Sequence, residues 1–167
     1  MKKITIAVLL TVFAVTPAFA ADQSKLSLGV GYGFDYEGVF SFHGDYDISA
    51  MANNAPVKAR FGFDHYSPNY SWAGNNYSWS YNRFYGAAYY DFSRHMTLDK
   101  RIHPFAGLGL YVGSSSCAGS VCGNVSSSSN SGLYYIAGVQ FDIAPKIALE
   151  ANVNEIGGVS IGANFKF

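Results

Sequence analysis

Charge is scarce in this chain. Asp, Glu, Lys and Arg make up 13% of its 167 residues, with 11 basic against 11 acidic side chains. No basic face stands out, which excludes a nucleic-acid binder resting on phosphate neutralisation. Long apolar runs are scarce too. Beyond residue 20, nothing approaches the roughly eighteen apolar residues that a helical membrane span needs. Cysteine occurs only at Cys117 and Cys122, and the stretch around them offers no His, Asp or Glu, so a metal site there is poorly supplied with ligands. Aromatics, by contrast, reach 17%. That is a lean, aromatic-rich composition for a secreted soluble domain.

The N-terminus gives an address. Lys2 and Lys3 precede an apolar stretch from Ile4 to Val15, and Pro17-Ala18-Phe19-Ala20 supplies a small-x-small cleavage site. Residues 1–20 are therefore expected to be a secretory signal peptide, and residues 21–167 a single mature domain. The alternative, an N-terminal helix of the mature fold, has an apolar stretch too short for a stable span. Export makes a disulfide the expected state of Cys117 and Cys122.

The mature chain repeats a two-residue rhythm in eight segments. Leu26, Leu28, Val30, Tyr32 and Phe34 alternate with Ser27, Gly29, Gly31, Gly33 and Asp35. Phe40, Phe42, Tyr46 and Ile48 alternate with Ser41, His43, Asp45 and Asp47, and Val57, Ala59, Phe61 and Phe63 with Lys58, Arg60, Gly62 and Asp64. Similar segments follow around Arg83–Phe92, in "HPFAGLGLYVG", around Tyr134–Ile143 and around Ile147–Asn154, and the chain ends in "VSIGANFKF". Each is about nine to eleven residues, the length of a tilted membrane-crossing strand.

Alternation alone does not separate a soluble sheet from a membrane barrel. The two faces do. The apolar face carries no charge in any segment, as hydrocarbon requires. The polar face is mainly Gly, Ser, Asn and Tyr with opposed charges, which suits the crowded interior of a narrow barrel. The fold expected is an eight-stranded antiparallel transmembrane β-barrel. Its two long links, Tyr66 to Tyr81 and Ser114 to Ser131, are read as loops facing outside, with both termini in the periplasm.

With its signal peptide, eight alternating strands, "HPFAGLGLYVG" and terminal Phe, the chain resembles the small outer-membrane barrels of the OmpA/OmpX/opacity-protein type. That resemblance implies the outer membrane of a Gram-negative bacterium and no enzymatic activity. It implies a role in envelope structure or in adhesin-like surface binding. Phe165 and Phe167 would serve as the signal read by the barrel-assembly machinery. No further domain is expected after the last strand, which resembles the short members. The expected partners are outer-membrane lipid, lipopolysaccharide, that machinery and a host or surface ligand, with no cofactor and no metal.

Particular residues invite chemistry. A hairpin of the second and third segments pairs Asp47 with Lys58 and Asp45 with Arg60, and Asp64 can then meet Arg83. These six are expected to form a salt-bridge network that plugs the lumen; the alternative is a small pore. Ser41, His43 and Asp45 share letters with a triad, but alternate residues of one strand stand about 7 Å apart and point in parallel. His65-x-Ser67 resembles the His-x-Ser of lipid A 3-O-deacylases, which implies His65 as base and Ser67 as nucleophile. No acid follows before Asp91 to orient the histidine, so this is the runner-up function. The repeat Asn-Tyr-Ser-Trp at 69–72 and 76–79 reads as a hairpin turning at Ala73 to Asn76. Its Tyr70, Trp72, Tyr77 and Trp79 are candidate ligand-binding residues. On the fifth segment, Leu108→Arg is expected to be costly, and Gly107→Ser on the other face milder.

Overall fold

The computed structural model describes residues 25–35, 38–72, 75–119 and 128–167, without the side chains of residues 69–72, 75–77 and 118–119. The expected signal peptide lies outside the described residues. The strands are β1 (Leu26–Gly33), β2 (Val39–Asp47), β3 (Val57–Tyr66), β4 (Asn69–Trp72), β5 (Asn75–Asp91), β6 (Ile102–Gly119), β7 (Ser128–Ala144), β8 (Ile147–Asn154) and β9 (Gly158–Lys166).

All pairings are antiparallel. The sheet runs β3-β2-β1-β9-β8-β7-β6-β5, and β3 pairs with β5 from Val57↔Tyr90 to Tyr66↔Tyr81, which closes a ring of eight strands. Closure matters because it leaves no strand edge within the ring to hydrogen-bond elsewhere. The short β4 lies outside the ring and pairs only with β5. No helix among the described residues is long and apolar enough to cross a membrane.

Burial follows the alternation, inverted relative to a soluble protein. Leu108, Leu110 and Phe61 are 69%, 66% and 64% exposed on the outward face, while Arg60, Asp45 and Asn164 are each 1% exposed inside. Turn residues fit their backbone. Asn53 and Asn54, between β2 and β3, take positive φ (52° and 61°), a conformation that asparagine tolerates. Gly38 has φ 105° beneath the Tyr32 ring, a position closed to any side chain.

Two expectations need correction. The link from Ser114 to Ser131, read as a loop, is strand over residues 114–119 and 128–131, whereas the hairpin expected at 69–79 is present as β4 and the start of β5. β5, β6 and β7 run for 17, 18 and 17 residues, and the ladders continue to Tyr77↔Gly119 and Ser115↔Ser128. Serine and asparagine on both faces hid these extensions, because no apolar period marks a sheet standing in water. The hairpin is tighter than expected as well: Trp72 pairs with Asn75, so Asn75 and Asn76 belong to β5.

Candidate functional site

Inward side chains stack into three tiers along the barrel axis. At mid-height, Arg60 of β3 faces Asp45 directly across the β2–β3 ladder. Its Nε donates to Asp45 Oδ1 at 2.7 Å and its Nη2 to Asp45 Oδ2 at 2.9 Å. The same guanidinium reaches across the lumen, donating to both carboxylate oxygens of Glu150 on β8 at 2.8 Å. Gln140 and Asn164 each donate to Glu150 Oε2, Asn152 donates to Oε1, and the Tyr89 hydroxyl donates to Asp45. Asn164 spends its amide N–H on Glu150, so its oxygen accepts from His43 Nε2 at 2.7 Å, which fixes the proton on that nitrogen. The guanidinium also lies over the Tyr89 and Phe105 rings.

Nearer the far end, Arg83 donates to Asp64 Oδ2 from Nε (3.2 Å) and Nη2 (2.8 Å), and pairs with Glu155 through Nη1. Ser41 donates to Asp64 at 2.7 Å. The Tyr85 and Tyr134 rings stack at 4.3 Å beside this group, and Arg83 lies over Tyr134 and Tyr111. At the end carrying the termini, Lys166 pairs with Asp142 at 2.5 Å, and His103 stands between Asp91 and Asp142 at 3.4 Å from each.

Arg60 thus answers two carboxylates from different strands, Arg83 answers one from β3 and one from the β8–β9 turn, and polar neighbours satisfy further oxygens. This is the condition under which buried charge is tolerated. The expected pairs Asp45–Arg60 and Asp64–Arg83 are brought together. Asp47 and Lys58 stand opposite in the ladder, but Asp47 accepts from the Ser49 backbone N–H and Lys58 lies over the Tyr89 ring. Glu150, His43, Gln140, Asn164 and Glu155 also belong to the network. The inward parity of His43, Gln140, Glu150 and Asn164 was readable, whereas Glu155 sits in the turn after β8, and a contact across the lumen follows only from closure.

His43, Asp45 and Glu150 converge closely enough to ligate an ion. Arg60 already occupies the space between the two carboxylates, so an added cation would have to displace a guanidinium. Ser41 and His43 bond to different partners, Asp64 and Asn164, which removes the triad reading. His65 Nδ1 pairs with the Asn82 amide oxygen at 2.9 Å, where a deacylase-type base would have a carboxylate. The enzyme reading loses its orienting group.

Beyond the ring, the β4–β5 ladder sets Tyr70 opposite Tyr77, while Trp79 stacks near Tyr81 and Tyr81 against Tyr66. The side chains of Tyr70, Trp72 and Tyr77 lie outside the described residues. So does Cys122; no described cysteine is free. Phe165 and Phe167 lie exposed on the outward face, with β9 seated between β8 and β1.

Comparison with known proteins gives a consistent answer. The model of the outer membrane protein beta-barrel domain matches residues 5–167. A major outer membrane protein from Thermus thermophilus superposes with TM-score 0.62 at 13% identity, covering 86% of this chain and 99% of that one. The N-terminal barrel of Pseudomonas aeruginosa OprF gives 0.59 at 13% identity, covering 87% and 98%. Yersinia pestis Ail, the attachment invasion locus protein, solved with the heparin analogue sucrose octasulfate, gives 0.50 at 17% identity, covering 86% and 94%. No curated protein matches.

Proposed function

Since this chain belongs to the outer membrane protein β-barrel family and resides in the bacterial outer membrane, we propose that it is a non-enzymatic surface-binding protein. Its ligand would be held by the sheet that rises above the bilayer. One observation carries this reading: β5, β6 and β7 run 17, 18 and 17 residues, well past the nine to eleven that a crossing needs. The projecting residues are Tyr, Trp, Ser, Asn and Gly, which combine stacking surface with adaptable hydrogen bonding.

Charge narrows the ligand. Ail is described with a polysulfated analogue of heparin, but residues 66–81 and 114–131 here contain no Lys or Arg. A neutral ligand, stacked on Tyr70, Trp72, Tyr77 and Trp79, fits this composition better than a polyanion. The filled lumen argues against a pore, since Arg60 bridges it from β3 to β8. Recognition of Phe165 and Phe167 by the assembly machinery, lipopolysaccharide contact and a Cys117–Cys122 disulfide that rigidifies the tip are parts of the same proposal.

The test is binding of displaying cells to arrays of neutral glycans and matrix proteins. Replacing Trp72 and Trp79 by alanine should cut binding about tenfold or more at equal surface display. Undiminished binding would remove the aromatic site. Lipid A mass spectra with and without the protein should be identical. A deacylated product that Ser67→Ala abolishes would reinstate the enzyme.

A further inference from the structure

Nine Lys and Arg lie beyond residue 24, and the fold divides them by place. Lys58, Arg60, Arg83 and Lys166 belong to the tiers of the lumen. The other five, Lys25, Arg94, Lys100, Arg101 and Lys146, all lie at the end of the barrel that carries the β2–β3, β5–β6 and β7–β8 turns. At the opposite end, residues 34–38, 66–81, 114–131 and 155–157 contain no Lys or Arg, and their charges are Asp35, Glu37 and Glu155. Residues 48–56, 92–101 and 145–146 contain one acid, Asp99, and Arg101 holds it at 2.9 Å. The carboxylates at the adjoining strand ends are engaged already. Asp47 accepts from the Ser49 N–H, Asp91 from the Ser93 N–H, and Asp142 pairs with Lys166.

The three turns form one arc of the rim. Arg94 donates to the Asn54 carbonyl at 3.0 Å, which ties the β5–β6 turn to the β2–β3 turn. The Asp142 N–H donates to the Arg101 carbonyl at 2.9 Å, and Arg101 lies over the Phe141 ring, which ties it to the end of β7. Along this arc Met51, Phe92, Met96 and Leu98 are exposed among the cations. Water serves the charges and leaves the apolar side chains unburied. An anionic bilayer surface serves both, because apolar side chains enter the acyl boundary while long cationic ones reach the phosphates. Outer-membrane barrels turn their short links toward the periplasm, so the surface at this rim is the inner leaflet. We propose that the arc binds the phosphates of anionic phospholipid in the periplasmic leaflet through Arg94, Lys100 and Lys146, with Met51, Met96 and Leu98 as apolar anchors. A soluble anionic polymer would meet the cations but leave those anchors in water. The site lies at the opposite end from the aromatic hairpin and does not depend on it.

The experiment places the barrel in nanodiscs of mixed phosphatidylglycerol and phosphatidylcholine and uses native mass spectrometry to count the lipids it retains on release. Phosphatidylglycerol should be retained over phosphatidylcholine by about fivefold or more, the factor for a single cation at an anionic surface. Release at about 0.5 M salt should shrink that preference. Arg94→Gln, Lys100→Gln and Lys146→Gln together should abolish it, whereas Arg94→Lys, Lys100→Arg and Lys146→Arg together should keep it. Asp35→Asn with Glu37→Gln, at the other end, should leave it unchanged. Amide shifts caused by phosphatidylglycerol should fall within residues 92–101. If the triple glutamine variant fails to fold, judged by loss of the gel shift between unheated and boiled samples, Lys100→Gln with Lys146→Gln serves as the second variant. No preference in the unmodified barrel, a preference that survives neutralisation, or shifts confined to the outer end would overturn the proposal. Binding of soluble cell-wall fragments that needs the same cations, with no lipid preference, would assign the arc to the wall and overturn it equally.

Discussion

Strands β5, β6 and β7 each pass through two environments, and β6 shows the change most clearly. Its outward positions read Leu108, Leu110, Val112, then Ser114 and Ser116. Below the switch the outward face meets hydrocarbon, and the buried inward charges Asp45, Arg60, Glu150, Asp64 and Arg83 are all paired. Above it, water reaches both faces, so neither greasy side chains nor ion pairs are needed. The same backbone ladder serves both regions. What differs is how each side chain's polarity is satisfied.

The largest effect expected from breaking this contrast is in the lumen. Arg60→Ala leaves Asp45 and Glu150 buried and facing each other, and should cost roughly 3–5 kcal/mol, the range for removing one partner of a buried ion pair. Urea unfolding in lipid vesicles reads it. Replacing all three residues by apolar ones of similar volume should recover much of the loss. If it does not, the network does more than balance its own charge.

Next comes the lower outward face. Leu108→Arg should cost roughly 2–4 kcal/mol in the same assay. Ser116→Arg, on the same face of the same strand but above the switch, should stay within about 0.5 kcal/mol. Equal costs at the two positions would erase the proposed boundary.

Gly107→Ser sits between these. A Cβ there meets the Ala88 carbonyl and the Tyr89 Cβ and Cα, 2.5 and 2.7 Å away. The cost should be roughly 1–3 kcal/mol, the range for overpacking. The serine remains the milder of the two changes, as expected, and the crowding that limits it is close approach of backbone.

The smallest effect lies in the exposed turn between β5 and β6. Side-chain and backbone hydrogen bonds from Arg101 hold the Asp99 carboxyl down at about 2. Because the folded value is depressed, any stabilisation is present above the ordinary value near 4 and is lost as pH falls toward 2. Carbon-13 titration should show this midpoint, and Arg101→Ala should return it to the ordinary range. A midpoint near 4 in both proteins would dismiss the contact.

Legibility in the sequence followed the same boundary. In the membrane region, hydrocarbon forces period two on every strand, so the faces of Leu108, Arg60 and Glu150 could be read residue by residue. Asp45 and Arg60 are separated by one turn, and their pairing follows from hairpin register. Arg60 with Glu150 is a contact between β3 and β8, and alternation says nothing about which inward residues meet across a closed ring. Above the bilayer only the Asn-Tyr-Ser-Trp repeat signalled its hairpin, and on β6 and β7 the signal vanished. Ser114, Ser115, Ser116, Ser128 and Ser129 carry no period, so strand looked like loop.

The most direct test of the boundary is spin-label accessibility at Leu108→Cys and Ser116→Cys, with Cys117 and Cys122 replaced, in lipid bilayers. Lipid-soluble oxygen should reach the label at Leu108 far better than a water-soluble nickel reagent, and the order should reverse at Ser116. A label at Leu108 shielded from both would place that side chain in a protein core and contradict the account.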